Sequence, residues 1–351
     1  MKAEKTKTAE LPLCYCVTGL LVDGQRCFAV ASEKEYACLL FNEHGELIDK
    51  IWDEPGGTMS AVQLPGEDAA FLATHRFFSP NNCKQASIIL CHRVNGRWIV
   101  RTLAELPGVH RFDILNRNGK HYLLACTIKS DYDEKDDWRF PGKVYACPLP
   151  ENLLSQPENY RLPLQVLKEP LVKNHGYSRD ICEGISTGIV TSEEGVFRFT
   201  PPASPDAPWA AEQLLVGPTS DALLLDFDED GEKELLTLSP FHGDTLRVYK
   251  KNGTQFFKVF ESQKKMPFLH AICPAVLNGK PLAILGNRRE GRDLMALSWD
   301  RGDWQLTVLD HNVGPTNVLS FGLDDRTMIL SANREINEIA FYALKEDSEA
   351  P

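Results

Sequence analysis

The chain has 351 residues, a length that corresponds to about two average domains or to one large β-structure. Its 38 basic and 49 acidic side chains give a formal net charge of −11. This charge argues against nucleic acid and anionic membrane as main partners, because both are bound through cationic surfaces. No apolar run approaches the roughly 18 residues of a membrane span, and the charged N-terminus lacks an apolar leader segment. We therefore expect a cytoplasmic protein whose ten cysteines are reduced.

Short β-rich segments follow one another along the chain, and helical periodicity is weak. Examples are CFAVAS at 27–32, HYLLACTI at 121–128 and PLAILG at 281–286. Asp-Gly and Asn-Gly pairs separate many of them, as at Asp23-Gly24, and these dipeptides favour the tight turns of β-hairpins. The pattern predicts a succession of antiparallel hairpins.

Alignment of these segments reveals an internal repeat of four β-segments. Breaks that contain Gly-Pro separate several repeats, as in LLVGPTSD at 214–221 and HNVGPTN at 311–317. The repeats begin near Tyr15, Ser60, His110, Ser178, Ser220, Leu269 and Thr316. Repeats of about 40–50 residues with four strands are typical of β-propeller blades. We therefore predict an all-β, seven-bladed β-propeller with four antiparallel strands per blade, formed as a single domain by residues 1–351.

Two of the repeats are irregular. The last one shows only three strand segments, and we expect the N-terminal segment from Thr8 to Leu13 to supply the fourth and so to close the ring. The third repeat is the longest because it carries insertions near 130–140 and 150–173. The first insertion contains Trp138, and it is interpreted either as a sugar-stacking lid or as a solvated acidic loop.

The fifth repeat contains a dense acidic hairpin. Its carboxylates form the pattern D-x-D-x-D-G-x-x-E at Asp226, Asp228, Asp230 and Glu234. Alternating carboxylates beside a glycine turn suit a hard cation that takes several oxygen ligands, so we predict a structural Ca²⁺ or Mg²⁺ here. A solvated hairpin without an ion is the alternative. The hairpin resembles the FG-GAP or VCBS type of propeller repeat, in which such a loop often holds Ca²⁺.

Propeller topology predicts which residues share one face near the axis. Strands alternate in direction, so the connection into each first strand lies on the same face as the loop between the second and third strands. Five of the nine histidines map to this face, which we call the mouth: His75, His110, His175, His242 and His270. Neutral imidazoles are ligands for Zn²⁺, Mn²⁺ or Fe²⁺ and are also general bases. A structural, hydrogen-bonded role for each histidine is the alternative.

The catalytic candidates at the mouth are His75, Lys129, Tyr177, Arg288 and Arg334. Lys129 and Tyr177 are candidates for proton transfer. The two arginines occupy equivalent Asn-Arg positions in neighbouring repeats, and a guanidinium pair suits a carboxylate or an enolate oxygen. The alternative is that each arginine forms a salt bridge with an adjacent glutamate, Glu290 or Glu335.

With its seven repeats, the acidic hairpin and the segment SPFHGDTLRVYKKNG at 239–253, the chain resembles the propeller domain of aldos-2-ulose dehydratase-like and polysaccharide-lyase-like proteins. The resemblance implies metal-assisted β-elimination on a small keto-sugar or uronate-type substrate at the mouth. It also implies a divalent transition metal (Zn, Mn or Fe), with His110, His175, His242 and His270 as the candidate ligands or bases.

Two other function classes stay open at this point. A sugar isomerase, epimerase or hydrolase would use the same mouth, and a non-catalytic propeller would bind carbohydrate or protein there. Incorporation of solvent deuterium into an intact sugar would separate an isomerase from a lyase. The expected partner is a small sugar-derived substrate, and the sequence leaves the oligomeric state open.

Overall fold

Twenty-eight β-strands and one short 3₁₀ helix form the regular structure of residues 1–346, the part of the chain that the computed structural model describes. The strands are β1 (Lys2–Glu10), β2 (Cys14–Val22), β3 (Gln25–Ser32), β4 (Cys38–Asn42), β5 (Leu47–Trp52), β6 (Ala61–Gln63), β7 (Ala70–His75), β8 (Ser87–Val94), β9 (Arg97–Glu105), β10 (Val109–Arg117), β11 (Lys120–Thr127), β12 (Gly142–Pro148), β13 (Gln165–Leu171), β14 (Tyr177–Cys182), β15 (Ile185–Ser192), β16 (Gly195–Thr200), β17 (Ala210–Val216), β18 (Asp221–Leu225), β19 (Glu234–Ser239), β20 (Thr245–Asn252), β21 (Gln255–Glu261), β22 (Leu269–Leu277), β23 (Lys280–Asn287), β24 (Leu294–Asp300), β25 (Asp303–Asp310), β26 (Pro315–Leu323), β27 (Arg326–Asn333) and β28 (Glu338–Lys345). The helix is Arg334–Ile336. The predicted single domain also includes residues 347–351, which lie outside the described residues.

These strands form seven antiparallel sheets of four strands each, so the predicted seven-bladed β-propeller is confirmed. Blades 1 to 6 take four consecutive strands each, from β2–β5 to β22–β25. Blade 7 consists of β26, β27, β28 and β1. The first strands of neighbouring blades contact one another, as β22 and β26 do, and they therefore surround the propeller axis.

The N-terminal strand closes the ring. β1 pairs antiparallel with β28, from Lys2 opposite Lys345 to Glu10 opposite Glu338, and is the outermost strand of blade 7. The predicted closure is thus confirmed, but the strand is Lys2–Glu10 and does not reach Leu13, which lies in the following turn with a φ of 51°. β1 is exposed to solvent along most of its length because it is the outermost strand. Its sequence is therefore polar and shows no alternation of apolar residues.

Blade 3 carries the two insertions. The first lies between β11 and β12, where Lys129 forms an isolated bridge to Pro141. The second is shorter than expected and spans only 149–164, because Gln165–Leu171 forms the outer strand β13. That strand is mostly exposed, so its polar residues resemble those of a loop in the sequence.

The core lies between the blades. The second strand of each blade is covered on both faces; in β7, for example, every residue is buried, which explains the apolar run AFLA at 70–73. Between blades 3 and 4, Leu124 packs in one cluster with Phe197 and Phe199. All ten cysteines are free, and eight are buried as small hydrophobic side chains. No helix among residues 1–346 is long and apolar enough to cross a membrane.

Candidate functional site

Three side chains turn towards the propeller axis at equivalent bulges. The pairing register of the first strand shifts between Cys14 and Cys16 in blade 1, around His110 in blade 3 and around His270 in blade 6. The residue at each shift is Tyr15, His110 or His270. A β-bulge bends its strand and redirects a side chain. The same local irregularity therefore brings these three residues together.

The three residues meet two further histidines at the axis. The Tyr15 hydroxyl lies 3.1 Å from Nε2 of His270 and 3.4 Å from Nε2 of His110. His175 precedes β14, and its Nε2 lies 3.4 Å from Nε2 of His242, which belongs to the loop between β19 and β20. The centre of the His175 ring lies 4.8 Å from the centre of the His110 ring and 5.1 Å from that of the His270 ring. We call Tyr15 and these four histidines the histidine cluster.

In three of the histidines, the ring nitrogen Nδ1 lies within hydrogen-bonding distance of an oxygen atom. Nδ1 of His110 lies 3.1 Å from the carbonyl oxygen of His175, and Nδ1 of His270 lies 2.7 Å from that of Thr316. Nδ1 of His175 lies 2.9 Å from the buried carboxylate of Asp221. Carbonyl and carboxylate oxygens only accept hydrogen bonds, so each Nδ1 carries the proton and each Nε2 presents a lone pair to the cluster.

The cluster has more acceptors than donors. Nε2 of His110, His175 and His270 are three acceptors. The Tyr15 hydroxyl donates one hydrogen, and the neutral ring of His242 donates at most one more. Buried polar atoms are normally satisfied, so this balance favours a species that brings positive charge or a proton. Metal-binding histidines show the same arrangement, with Nδ1–H held by an oxygen and Nε2 on the metal.

Burial favours the neutral form of His110, His242 and His270. It lowers the pKa of His110 and His270 well below the usual value, and neighbouring positive charge, from Arg288 at His270 and from Arg111 at His110, acts in the same direction. The pKa of His242 is lowered in the same way, first by burial and then by His175 and Arg288. Burial raises the pKa of Tyr15 to about 12. Neutral imidazole is the form that binds a metal ion.

Three of the four predicted metal ligands lie close enough together to hold one cation. Nitrogen atoms of His175, His242 and His270 all lie within 4.8 Å of one another. Zn–N bonds of about 2.0–2.1 Å in tetrahedral geometry place ligand nitrogens about 3.4 Å apart, which the His175–His242 pair already matches. His110 belongs to the cluster, but it is not a member of this triad.

His75 lies elsewhere. It ends β7, and its buried ring packs against Trp52 at 4.7 Å. It lines a separate cavity of about 680 Å³ between blades 1 and 2, together with Trp52 and Arg76. Burial lowers its pKa to about 4. The structure therefore does not bring His75 to the histidine cluster, because the end of its strand faces the neighbouring blade rather than the axis.

Lys129 is enclosed by the first insertion. Its ammonium donates to the carbonyl oxygen of Asp137 at 2.6 Å and lies 4.1 Å from the centre of the Trp138 ring. Burial lowers its pKa. Trp138 in turn contacts Phe241, whose ring is 5.3 Å from that of His175. The insertion therefore folds over Lys129, and Trp138 and Phe241 connect it to the cluster.

Tyr177 lies in the central channel. Its hydroxyl donates to Asp113 at 3.1 Å, and Arg179 binds the same carboxylate through Nε at 2.8 Å and through a second nitrogen. Burial, with the nearby Asp113 charge, raises the pKa of Tyr177 well above its usual value. The Tyr177 hydroxyl bonds to Asp113, and its ring packs against the core between blades 3 and 4 rather than against the histidine cluster.

The two arginines are paired with carboxylates. Arg288 binds Glu335 at 2.7 Å, and Arg334 binds Glu335 at 3.1 Å and also Glu33. This is the salt-bridge alternative, except that the partner of Arg288 is Glu335 rather than Glu290. The Arg288 guanidinium also lies 4.5 Å from the centre of the Phe268 ring, which packs against His242 at 4.2 Å. Arg288 thus reaches the edge of the cluster, whereas Arg334 faces blade 1.

The acidic hairpin contains a cationic side chain of the protein itself. The Lys250 ammonium binds Asp228, lies 2.9 Å from Asp230 and 3.3 Å from Glu234. Oxygens of Asp226, Asp228 and Glu234 also lie close enough to hold one ion. A bound Ca²⁺ or Mg²⁺ stays a prediction, and such an ion would compete with Lys250.

Sequence reasoning did not include Tyr15 and Asp221 among the site residues. Tyr15 occupies the same repeat position as His110 and His270, so alignment of the repeat starts carries a signal for it. Asp221 directly follows the repeat start Ser220, but the sequence does not show its contact with His175, because that contact joins two blades. The fold and the cluster define this protein as a seven-bladed β-propeller with histidines from four blades around its axis. No model of a known protein family matches the chain, and no curated protein does, so no family is assigned.

Proposed function

We propose that the protein is a metal-dependent enzyme in which His175, His242 and His270 hold a divalent transition metal, Zn²⁺, Mn²⁺ or Fe²⁺. The observation that carries the proposal is the convergence of these three imidazoles, in two of which, His175 and His270, an oxygen atom lies at Nδ1 and leaves Nε2 free. Buried, neutral imidazoles with this outer shell suit these ions. The reaction that we propose is carbon–oxygen elimination on a small keto-sugar or uronate-type substrate, as the resemblance to sugar dehydratases and polysaccharide lyases implies.

The residues of the cluster divide the proton transfers of such an elimination. The metal would supply a Lewis acid that polarises a carbonyl oxygen. His110 stands beside the triad with an unprotonated Nε2 and accepts the proton from the carbon next to the carbonyl. The electron pair forms the double bond, the β carbon–oxygen bond breaks, and the Tyr15 hydroxyl donates a proton to the leaving oxygen. An anionic substrate next to His110 raises the low pKa of this base towards neutrality.

The first test is the metal content of protein purified without chelator. We expect about one equivalent of transition metal in the wild type and none in the variant His175→Ala/His242→Ala. His44→Ala is the matched control, since His44 lies in an exposed turn. Wild-type protein that takes up no transition metal, or a double variant that keeps it, would overturn the proposal.

The second test separates the reaction classes. The metal-loaded protein is incubated with keto-sugars and uronates in D₂O and followed by NMR. A new alkene signal with loss of the leaving group supports elimination. Solvent deuterium in an otherwise intact sugar replaces the lyase by an isomerase or epimerase, and cleavage without an alkene replaces it by a hydrolase.

A non-catalytic binding propeller is the competing function, and one observation favours it. His110 bonds to blade 4, His175 to blade 5 and His270 to blade 7 through their Nδ1 atoms. The histidines thus join neighbouring blades, a role that needs no metal. Under this alternative, replacement of His175 lowers the free energy of unfolding by the same amount in the presence and absence of added Zn²⁺.

A further inference from the structure

The central channel contains a second cluster of functional side chains. A cavity of about 590 Å³ is lined by residues of the first strands of blades 1, 2, 3, 4 and 7. It begins next to the histidine cluster, because Ser60 and Arg111 line it and both are bonded to or adjacent to His110. The acidic and basic side chains of its lining are Arg111, Asp113 and Arg179.

Arg111 carries a charge without a carboxylate partner. Its guanidinium donates to the carbonyl oxygen of Met59 at 2.8 Å and to Oδ1 of Asn317 at 3.2 Å. It also lies 5.7 Å from the centre of the Tyr15 ring. Among residues 1–346, no carboxylate forms an ion pair with it. Its half-buried positive charge is therefore balanced only by neutral dipoles.

The other two charges of the lining cancel each other. Asp113 is buried and accepts hydrogen bonds from Nε and a second guanidinium nitrogen of Arg179. The Tyr177 hydroxyl is its third donor. The lining thus has a net charge of +1, from two arginines and one aspartate. The whole chain has a net charge of −11, so the channel opposes the general charge of the protein. A positive site in an otherwise acidic protein selects anions.

The channel also offers uncharged polar groups. Ser178 belongs to the lining, but its hydroxyl oxygen is buried and has no hydrogen-bond partner. Asn317 and Thr18 lie on other sides of the same cavity. The lining therefore combines one cationic group with groups that recognise hydroxyls.

We propose that Arg111 binds the carboxylate of a small hydroxylated acid in this channel, with Asn317 and Thr18 contacting its hydroxyl groups. This proposal rests on the proposed function, and it makes the substrate an acid rather than a neutral keto-sugar. A guanidinium binds a carboxylate through two parallel hydrogen bonds. Since Arg111 follows His110 directly and contacts Tyr15, a carboxylate held there brings the neighbouring carbon atoms to the histidine cluster.

The test is calorimetric titration of metal-stripped protein with D-galacturonate. Working without metal separates this proposal from the metal site, whose presence is measured by metal content alone. We expect saturable binding to the wild type and at least about tenfold weaker binding to Arg111→Gln. Arg301→Gln, which removes an exposed arginine of blade 6, is expected to bind as the wild type does. D-Galactose and acetate are expected to bind at least about tenfold more weakly than D-galacturonate.

A second variant keeps Arg111 in place. Asn317→Asp puts a carboxylate against the guanidinium, and we expect it to weaken D-galacturonate binding as strongly as Arg111→Gln does. Equal affinity in wild type and Arg111→Gln would overturn the proposal. So would galactose binding as tightly as galacturonate, acetate or phosphate binding as tightly, or no binding of galacturonate by wild-type protein that still takes up metal.

Discussion

Nδ1 of His175 lies 2.9 Å from Oδ2 of Asp221, and both side chains are almost completely buried. This bond connects blade 4 to blade 5 and fixes the ring so that Nε2 faces His242. Asp221 is therefore a positioning residue for the histidine cluster. Outer-shell carboxylates of this kind set the tautomer and the basicity of a ligating histidine.

Asp221→Asn is expected to weaken transition-metal binding by about 10- to 100-fold. An amide presents an N–H to Nδ1, which favours the tautomer with the hydrogen on Nε2 and blocks that atom as a ligand. The affinity is measured by competition with a chromophoric Zn²⁺ chelator. Asp206→Asn, in an exposed loop, serves as control. Unchanged affinity in Asp221→Asn would remove Asp221 from the metal site.

The stability of the metal-free protein is expected to fall as the pH is lowered from about 6.5 to 5. Folding lowers the pKa of His110, His242 and His270 below the unfolded value of 6.5, so the unfolded chain binds more protons in this window. Each such histidine contributes at most about 1.4 kcal/mol per pH unit, the limit reached once the unfolded imidazole is fully protonated. In denaturant titrations at several pH values, the free energy of unfolding of His242→Phe is expected to depend less steeply on pH than that of the wild type, by up to this amount. The introduced Phe packs against Phe241 and Phe268 and does not titrate. Parallel curves for wild type and variant would contradict the burial of a neutral His242.

Glu335→Gln is expected to lower the free energy of unfolding by about 2–3 kcal/mol. Burial by itself would raise the pKa of Glu335, but Arg288 and Arg334 hold it below the usual range. The stabilisation by this carboxylate is therefore present above the unfolded pKa of about 4.5 and is lost as the pH falls through the lower folded value. Glu290 is exposed and lies two residues after Arg288 in the sequence. The control variant Glu290→Gln is expected to change the free energy of unfolding by less than about 0.5 kcal/mol. Equal effects of the two variants would refute the pairing.

Lys250→Met is expected to create a calcium-dependent stability that the wild type lacks. In the wild type the ammonium binds Asp228, Asp230 and Glu234, and these contacts raise the pKa of Lys250. Without it the carboxylates repel one another, and Ca²⁺ replaces the lost charge. The measurement is the melting temperature with and without millimolar Ca²⁺. An equal rise in the wild type would show that Ca²⁺ displaces Lys250, as the sequence-based calcium prediction requires.

The fold was predictable because a propeller repeats one local pattern. Each blade is a run of hairpins, and turn dipeptides and apolar segments such as PLAILG report it within about 50 residues of sequence. The position of His110 and His270 at repeat starts was visible for the same reason. Four of the five histidines assigned to the mouth do meet at the axis, and the fifth, His75, does not.

The roles of these residues depended on contacts between blades, and such contacts leave no local pattern. The curvature of the ring decides whether His75 faces the axis or blade 1. It also decides whether Arg288 pairs with Glu290 or Glu335, and which oxygen lies at Nδ1 of His175. The sequence by itself determined a closed ring of seven sheets and the imidazoles near its axis. Only the tertiary structure decided which nitrogen of each ring is free, because that depends on an acceptor supplied by the next blade, roughly 50 residues further along the chain.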